Sequence, residues 1–94
     1  MKRHRLTEAE IATALAAHPD WTLREGRFCR ELRFGSFSEA FAFMTRVALL
    51  AEQLDHHPDW SNSYRTVRIE LTTHDLGALS TLDVALVERI DALL

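Results

Sequence analysis

Residues 37–54 are the longest stretch of the chain in which apolar side chains recur at helical spacing. The apolar residues follow the i, i+3, i+4 rhythm that gathers side chains on one broad face of an α-helix, at Phe37, Ala40, Phe41, Met44, Val47, Ala48, Ala51 and Leu54. Ser36 and Glu39 have the spacing of a capping box and predict the start of this helix. A helix this long and apolar must be the main element of the core, so the other elements have to pack against it.

Strict alternation of polar and apolar residues identifies the clearest strand, at residues 67–72. Its apolar positions, Val67, Ile69 and Leu71, alternate with polar ones, which is typical of a strand with one buried face. Residues 21–24 and 28–34 flank a turn at residues 25–27 and predict a β-hairpin. Residues 60–64 predict one more short extended segment.

Two further helices flank these strands. Thr7 and Glu10 form a second potential capping box, and Pro19 ends the first helix. Ser80 and Asp83 predict the start of the last helix, whose apolar positions are Leu82, Leu86, Val87, Ile90 and Leu94. The order α-β-β-α-β-β-α predicts an α+β fold with two layers, a four-stranded antiparallel sheet with helices packed on one face. We expect a single domain over residues 1–94.

The composition argues against several classes of protein. The formal net charge is -3 and the basic residues are scattered among acids, which argues against a nucleic-acid-binding protein. No apolar run approaches the roughly 20 residues that a membrane span requires. Residues 1–5 are basic, but Glu8 and Glu10 interrupt the segment in which a signal peptide would be apolar. Cys29 is the single cysteine, so no intrachain disulfide forms. We expect a cytoplasmic protein that binds neither nucleic acid nor membrane.

Residues 52–83 concentrate the side chains that carry chemistry. Histidine both gives and takes protons near neutral pH, because its unperturbed pKa is about 6.5. Several imidazoles with carboxylates and an aromatic wall predict general acid–base chemistry on a flat, polar heterocycle. The residues concerned are Glu52, His56, His57, Pro58, Asp59, Trp60, Tyr64, His74, Asp75 and Asp83.

The spacing of these residues predicts part of their geometry. Glu52 and His56 are four residues apart, so we expect them to share a face at the end of the long helix. Pro58 disfavours helical backbone angles at His57, and the resulting bend can turn both adjacent histidines toward one pocket. His74 continues the polar phase of the strand over residues 67–72, so it points away from the core unless the strand ends or bulges first.

The same residues also have simpler interpretations. A histidine at a helix end is favoured by the helix dipole without any catalytic role, and Trp60 and Tyr64 are ordinary candidates for core or interface positions. A zinc site is a weaker alternative, because two adjacent histidines followed by a third at position 74 match no usual ligand spacing. No serine lies in the Gly-x-Ser-x-Gly arrangement of a nucleophile elbow. The residue types alone leave the catalytic and the structural interpretation equally open.

The ordered set of these residues resembles the signature of the pterin-4a-carbinolamine dehydratase family. The matching pattern is Glu52-x-x-x-His56-His57-Pro58, then Tyr64, His74 and Asp83, with similar segments at His57-Pro58-Asp59-Trp60-Ser61-Asn62 and Thr73-His74-Asp75-x-Gly77. The likeness covers nearly the whole chain. It implies a two-layer α+β fold and a hydro-lyase that needs neither metal nor organic cofactor. The implied reaction dehydrates the 4a-hydroxytetrahydropterin released by aromatic amino acid hydroxylases to quinonoid dihydropterin, which a reductase then recycles.

The resemblance also implies an oligomer and roles for individual residues. The family forms homodimers or homotetramers, and a chain this short gains stability from association because it buries only about 60–65% of its unfolded surface. The catalytic residues at the matching positions would be His56, His57 and His74. Our hypothesis is that His56 and His74 transfer protons while His57 binds and polarises the pterin. The residues that support or line the pocket would be Glu52, Asp55, Trp60 and Asp83.

The resemblance leaves an alternative function from a different class. Vertebrate members of this family also act as a dimerisation cofactor of a homeodomain transcription factor. The chain is therefore alternatively a non-catalytic protein-binding module or transcriptional coactivator, or a structural dimer that happens to contain histidines. The intact set of three histidines favours the enzyme, because a scaffold has no need of imidazoles.

Overall fold

The computed structural model describes residues 3–94, so Met1 and Lys2 of the basic start lie outside the described residues. These described residues form three α-helices and four β-strands in the predicted order. The helices are α1 (Glu8–Ala17), α2 (Phe37–Leu54) and α3 (Thr81–Ala92). The strands are β1 (Thr22–Arg24), β2 (Arg27–Arg33), β3 (Asp59–Ser63) and β4 (Thr66–Leu71). Among residues 3–94, none of the helices combines the length and apolar character that a membrane crossing requires.

The four strands form one antiparallel sheet in the spatial order β1-β2-β4-β3. β4 therefore lies inside the sheet, between β2 and β3. Val67, Ile69 and Leu71 of β4 are buried, whereas Arg68 and Glu70 are exposed, so the alternation predicts both faces of this strand correctly. The apolar face shares one core with residues of the three helices, which confirms the two-layer α+β fold.

Helices α2 and α3 both contribute to this core, α3 through Leu86, Val87 and Ile90, so α2 is not its single main element as the sequence predicts. Helix α2 is buried on part of its surface. Its buried residues are Ala40, Phe43, Val47 and Ala51. Phe37 and Phe41, which the pattern places on the apolar face, are exposed and contact each other with ring centroids 5.7 Å apart. The periodicity therefore predicts the helix correctly and its buried side only in part, because the apolar arc of α2 is wider than the rest of the fold covers.

The capping boxes predicted at two of the helix starts differ in the structure. At α1, the backbone N–H of Thr7 donates to Oε1 of Glu10 at 2.8 Å, and the reciprocal bond is also present. At α2, the hydroxyl of Ser36 accepts from the N–H of Glu39, but the Glu39 carboxylate accepts from the N–H of Gly35 instead of Ser36. The prediction of a closed box at Ser36 is therefore wrong. Gly35 permits this contact, because a Cβ there would lie 2.9 Å from Oε2 of the glutamate.

Candidate active site

The end of α2 sets the positions of two adjacent histidines. Asp55 follows the helix in the left-handed conformation, at φ 50°, and redirects the chain. The N–H of His56 still donates to the carbonyl of Ala51 at 3.0 Å, which keeps this residue against the helix end. His56 is buried and His57 is exposed, so the two imidazoles lie in different surroundings.

Asp83, in the first turn of α3, is the buried carboxylate next to His56. Its side chain is fully buried, and its Oδ1 lies 2.6 Å from Nε2 of His56. Its Oδ2 accepts hydrogen bonds from the N–H of Ser80 and the hydroxyl of Thr73, both at 2.8 Å. The Ser80 bond is part of the capping box predicted for the last helix. One carboxylate therefore both caps α3 and holds His56.

The direction of the hydrogen bonds in this network follows from its chemistry. An ionised carboxylate only accepts hydrogen bonds, so Thr73 gives its single hydroxyl proton to Asp83. Ser80 then donates to the Thr73 oxygen, 2.6 Å away, and accepts from the N–H of Leu82 at 3.2 Å. By the same argument, Nε2 of His56 carries a proton toward Asp83. Nδ1 is therefore the ring nitrogen of His56 that does not contact Asp83.

The other two histidines pair with carboxylates at the protein surface. Nε2 of His57 lies 2.6 Å from Oε1 of Glu52, and Nε2 of His74 lies 2.9 Å from Oδ2 of Asp59. The prediction that Glu52 lies beside His56 is therefore wrong. The i, i+4 rule applies within a helix, and the left-handed residue that ends α2 brings the next histidine, His57, to the glutamate instead.

His74 reaches the site because β4 ends early. The strand stops at Leu71, and the buried Thr73 forms an isolated antiparallel bridge with Ala78. A short 3₁₀ turn (His74–Leu76) follows, and the N–H of Gly77 donates to the carbonyl of His74 at 3.1 Å. The strand thus ends before His74, whose exposed side chain lies beside Asp59 at the start of β3.

The three imidazoles line one cleft of about 350 Å³. Within the described part of the chain its lining residues are Arg3, Asp55, His56, His57, Thr72, Thr73, His74, Asp75 and Leu82. Of the four residues predicted to support or line the pocket, Asp55 lies in this lining. Glu52 and Asp83 contact the site through His57 and His56, respectively.

The two aromatic residues of the sequence pattern lie outside this lining. Trp60 is half-buried on the edge strand β3, where it packs against the core. A separate cavity of about 330 Å³ borders it, together with Asp59, Ser61, Arg68 and Glu70. Tyr64 is exposed in the turn between β3 and β4, at φ 51°. Neither ring therefore forms the aromatic wall that the sequence predicts for the cleft.

The site also contains residues to which the sequence assigns no role in the cleft. Arg3 forms an ion pair with Asp75 at the cleft, and the hydrogen bond from this guanidinium lowers the pKa of the Asp75 carboxyl. Thr73 follows Val67, Ile69 and Leu71 at the next buried position of the alternation. A hydroxyl-bearing residue at a position where the strand is otherwise apolar is the sequence signal that could have indicated its role. Ser80 is predicted only as a helix cap, without its contact to Thr73.

The side chains of the cleft are of types that can exchange protons and hydrogen bonds with a polar ligand. Each imidazole in its wall is held by a carboxylate, and the remaining wall supplies further hydrogen-bonding groups from Asp55 and Thr72. Among residues 3–94, no three His, Cys, Asp or Glu side chains are arranged to hold a metal ion. The fold and the site together define a two-layer α+β protein with a histidine-lined cleft.

Comparison with known proteins identifies the family. Residues 4–93 match the family described as "Pterin 4 alpha carbinolamine dehydratase", and the chain belongs to this family. A protein from Synechococcus sp. (strain WH7803) named "Putative pterin-4-alpha-carbinolamine dehydratase" is 59% identical over 88 residues, covering 94% of this chain and 95% of the relative. A protein of the same name from Rhizorhabdus wittichii is 58% identical over 90 residues, covering 94% and 93% of the two chains.

Two solved structures resemble this fold. The first, described as a transcriptional coactivator/pterin dehydratase from Brucella melitensis, has a TM-score of 0.91 and 39% identity, and the match covers 96% of this chain and 98% of that chain. The second, described as a pterin dehydratase-like protein identified as a RuBisCO assembly factor in the alpha-carboxysome, has a TM-score of 0.63 and 27% identity, with 78% and 84% covered. The resemblance seen in the sequence is thus confirmed at the level of family and fold.

Proposed function

We propose that this protein is a hydro-lyase that dehydrates 4a-hydroxytetrahydropterin to quinonoid dihydropterin and water. The observation that carries the proposal is the meeting of His56, His57 and His74 in the wall of one cleft. Two of these residues follow α2 and the third follows β4, so the fold brings together side chains that are distant in sequence. Membership of the pterin-4a-carbinolamine dehydratase family supports the choice of substrate.

The proposed reaction breaks one C–O bond and forms one C=N bond. The hydroxyl group on C4a receives a proton and leaves as water, while N5 loses its proton as the C4a=N5 double bond forms. One imidazole must donate a proton and another must accept one, so the protein gains none overall. In our mechanism His56 and His74 exchange these two protons, and His57 binds and polarises the ring. General acid–base help of this kind is typically worth about 10²–10⁴-fold in rate.

The carboxylates have supporting roles in this mechanism. Asp83 holds the Nε2 proton of His56, which directs the exchange to Nδ1. Glu52 orients His57 in the same way. The Asp55 carboxylate lines the cleft and accepts hydrogen bonds from the N–H groups at the edge of a pterin. Trp60 supports the site through β3, next to the aspartate that pairs with His74, instead of by stacking on the ligand.

An assay with the purified protein tests this function. The 4a-hydroxytetrahydropterin is generated in place by an aromatic amino acid hydroxylase, and the absorbance of the quinonoid product is followed by stopped flow. We expect the protein to accelerate dehydration well above the spontaneous rate. The variant His4→Ala is a matched control, since His4 is exposed and outside the cleft lining. A rate no faster than that in buffer would contradict the proposal.

The proposal includes the setting of the reaction. The product returns to tetrahydropterin through a reductase, in the cytoplasm, in keeping with tetrahydrobiopterin recycling, and the enzyme needs no cofactor and no nucleic-acid or membrane partner. We further propose a homodimer or homotetramer. Phe37 and Phe41 of α2, which are exposed and contact each other, support an oligomer, because contiguous exposed apolar surface marks interaction sites. Light scattering coupled to gel filtration measures the oligomeric state directly.

A non-catalytic role as a protein-binding module or coactivator is the second candidate function. One structural relative is described as a transcriptional coactivator/pterin dehydratase, and the exposed apolar surface of α2 could contact another protein. The same dehydration assay, run beside a pull-down from the cell lysate of the source organism, separates the two candidates. A specific protein partner without any dehydratase activity would favour the binding module.

A further inference from the structure

The carboxylate that contacts His74 has a second carboxylate as its neighbour. On the face of the sheet that points away from the helices, Asp59 of β3 lies directly opposite Glu70 of β4. Residues opposite each other in an antiparallel pair have Cβ atoms about 4.5–5.5 Å apart, so two like charges in this arrangement repel. Asp59 is the residue whose Oδ2 lies 2.9 Å from Nε2 of His74. This contact therefore needs something that offsets the repulsion from Glu70.

Arg27, the first residue of β2, lies between the two carboxylates. Its Nη1 is 3.4 Å from Oδ2 of Asp59 and 3.4 Å from Oε2 of Glu70. The oxygen that Arg27 contacts on Asp59 is the same atom that pairs with His74. A carboxylate oxygen has two lone pairs, so it can accept hydrogen bonds from both side chains at once. Arg27 and His74 are thus joined through a single atom.

The register of the sheet favours this position of the Arg27 side chain. On the other side of β2, Arg24 of β1 lies directly opposite Arg27. The two guanidinium groups repel each other, whereas the two carboxylates attract Arg27. Arg68, another cation on this face of the sheet, pairs with Glu31 instead. Within residues 3–94, Arg27 is the one arginine or lysine that forms an ion pair with Asp59.

We propose that Arg27 is a positioning residue of the reaction, which holds the Asp59 carboxylate against His74. In our mechanism His74 exchanges a proton with the substrate, so its ring has to keep one orientation and one protonated nitrogen. Asp59 accepts a hydrogen bond from Nε2 of neutral His74, which leaves Nδ1 for the exchange. Arg27 acts on this step only through Asp59. This inference rests on the proposed function.

Loss of Arg27 should release the Asp59 side chain. Without the guanidinium, the repulsion from Glu70 is no longer offset, and the aspartate can turn away from His74 toward water. The proton of the neutral imidazole then distributes between its two ring nitrogens, because the hydrogen bond that selects one of them is lost. The side chains of Arg27, Asp59 and His74 are 36%, 46% and 64% exposed, so water screens the interaction and the effect should be moderate.

Long-range ¹H–¹⁵N NMR of the full chain tests the geometric part of the inference without a substrate. The ¹⁵N shifts of the His74 ring, recorded at a pH where the imidazole is neutral, report which nitrogen carries the proton. We expect mainly the Nε2–H form in the wild type and a larger share of the Nδ1–H form in Arg27→Met. Methionine keeps the unbranched aliphatic part of the side chain and removes the charge. The same ratio of the two forms in both proteins would overturn the inference.

A second substitution separates positioning from a general loss of structure. Glu70→Gln removes the repelling charge, so the double variant Arg27→Met with Glu70→Gln has the same formal charge as the wild type. The double variant should recover the wild-type ratio of the two His74 forms, and Glu70→Gln alone should keep it. Arg68→Met is the matched control, because it removes an exposed ion pair of the same sheet that does not include Asp59. A shift in Arg68→Met as large as that in Arg27→Met would contradict the proposal.

The dehydration assay tests the effect on the reaction. Arg27→Met should lower kcat about three- to fivefold, which is the scale of one exposed ion pair, and keep KM within about twofold of the wild type. Adding Glu70→Gln should recover most of this loss, while Arg68→Met keeps the wild-type kcat. Equal kcat values in the wild type and Arg27→Met, or equal losses in the single and the double variant, would overturn the inference.

The same assay separates this inference from the proposed function. If the wild type dehydrates 4a-hydroxytetrahydropterin and Arg27→Met does so equally fast, the role of Arg27 fails and the catalytic proposal stands. If the wild type does not accelerate dehydration, the catalytic proposal fails and the role of Arg27 in the reaction fails with it.

Discussion

The one buried and the two exposed histidines of the cleft each pair with a carboxylate, but the pairs differ in their exposure to water. The N···O distances are 2.6 Å for His56 with Asp83, 2.6 Å for His57 with Glu52 and 2.9 Å for His74 with Asp59. The side chains of the first pair are 9% and 0% exposed, whereas those of the second are 53% and 75% exposed. Distance alone therefore does not distinguish the three pairs, but their access to water does.

Access to water decides what each pair contributes. Charges at the surface interact through water and mobile ions, so an exposed pair contributes about 0–1 kcal/mol to stability. A buried pair is weakly screened, and losing one partner leaves an uncompensated group in the interior. We infer that His56 is the fixed member of the site, whose protonated nitrogen is set by Asp83. His57 and His74 are the members whose carboxylate pairs lie at the surface, in contact with water.

Among the substitutions that test the difference between the buried and the exposed pairs, Asp83→Asn should have the largest effect on stability and rate. The new amide presents an NH₂ group toward either His56 or Thr73, and both of these residues donate hydrogen bonds to the carboxylate in the native protein. We expect the free energy of unfolding to fall by about 3–5 kcal/mol and the dehydration rate to fall by about 10²-fold or more. Urea denaturation and stopped-flow assays measure the two effects.

The control for this substitution is Asp20→Asn. Asp20 is an exposed carboxylate, with its nearest charged partner, Arg30, at 3.5 Å. The control should keep both stability and rate near the wild-type values. Wild-type rates in Asp83→Asn would show that the buried carboxylate is not needed to position His56.

Substitutions of Thr73 test the buried pair of His56 and Asp83 without removing a charge. Thr73→Val keeps the shape of the side chain but removes the hydroxyl that donates to Asp83 and accepts from Ser80. We expect a loss of stability of about 1–3 kcal/mol and a fall in kcat of roughly tenfold, with little change in KM, since Thr73 acts through Asp83 on a proton-transfer step.

Thr73→Ser is the matched variant that separates positioning from packing. It keeps the hydroxyl and removes one buried methyl group, so it should lose about 1 kcal/mol of stability while keeping a near-native kcat. Equal losses of kcat in the valine and serine variants would show that the effect comes from packing and not from the hydrogen bond.

Glu52→Gln and Asp59→Asn test the exposed pairs. Each removes the charge beside one surface histidine and keeps a hydrogen-bonding group in place. We expect less than about 1 kcal/mol of change in stability for either variant, and a rate effect well below that of Asp83→Asn. Denaturation at low salt and at about 1 M salt measures the screening of the pairs. A loss of stability as large as that of the buried variant would refute the distinction between the two environments.

The smallest effect is expected at the Arg3–Asp75 ion pair. The hydrogen bond from Arg3 lowers the pKa of Asp75 in the folded protein, so Arg3→Gln should raise that pKa toward the ordinary aspartate value. The stability from this pair is present above the unfolded-state pKa of Asp75 and is lost as the pH falls through the lowered value. Titration of the Asp75 side-chain carbon by NMR measures the shift. No difference between wild type and variant would contradict the assignment.

The sequence predicts most of this fold because the helices and strands depend mainly on the periodicity of apolar residues and on helix caps. The alternation at Val67, Ile69 and Leu71 marks the buried face of β4, and Thr7 with Glu10 marks the start of α1. These features depend on neighbours within a few residues, so the printed sequence contains the information needed to find them.

The details of the site are less predictable because they depend on where elements end. The pairing of Glu52 with His57 follows from a single left-handed residue, Asp55, which no periodic pattern announces. The role of Thr73 requires Ser80 and Asp83 to meet it from the start of another helix. The catalytic assignment of the histidines, and the single domain over residues 1–94, stay predictions.

A double variant, His56→Ala with His74→Ala, tests whether these histidines transfer the protons of the reaction. Its dehydration rate is measured beside the wild type and the His4→Ala control at equal concentrations of folded protein. We predict that the double variant approaches the spontaneous rate of dehydration while the control keeps the wild-type rate. Full activity in the double variant would contradict the central claim that these two imidazoles, one buried and one exposed, move the protons of the reaction.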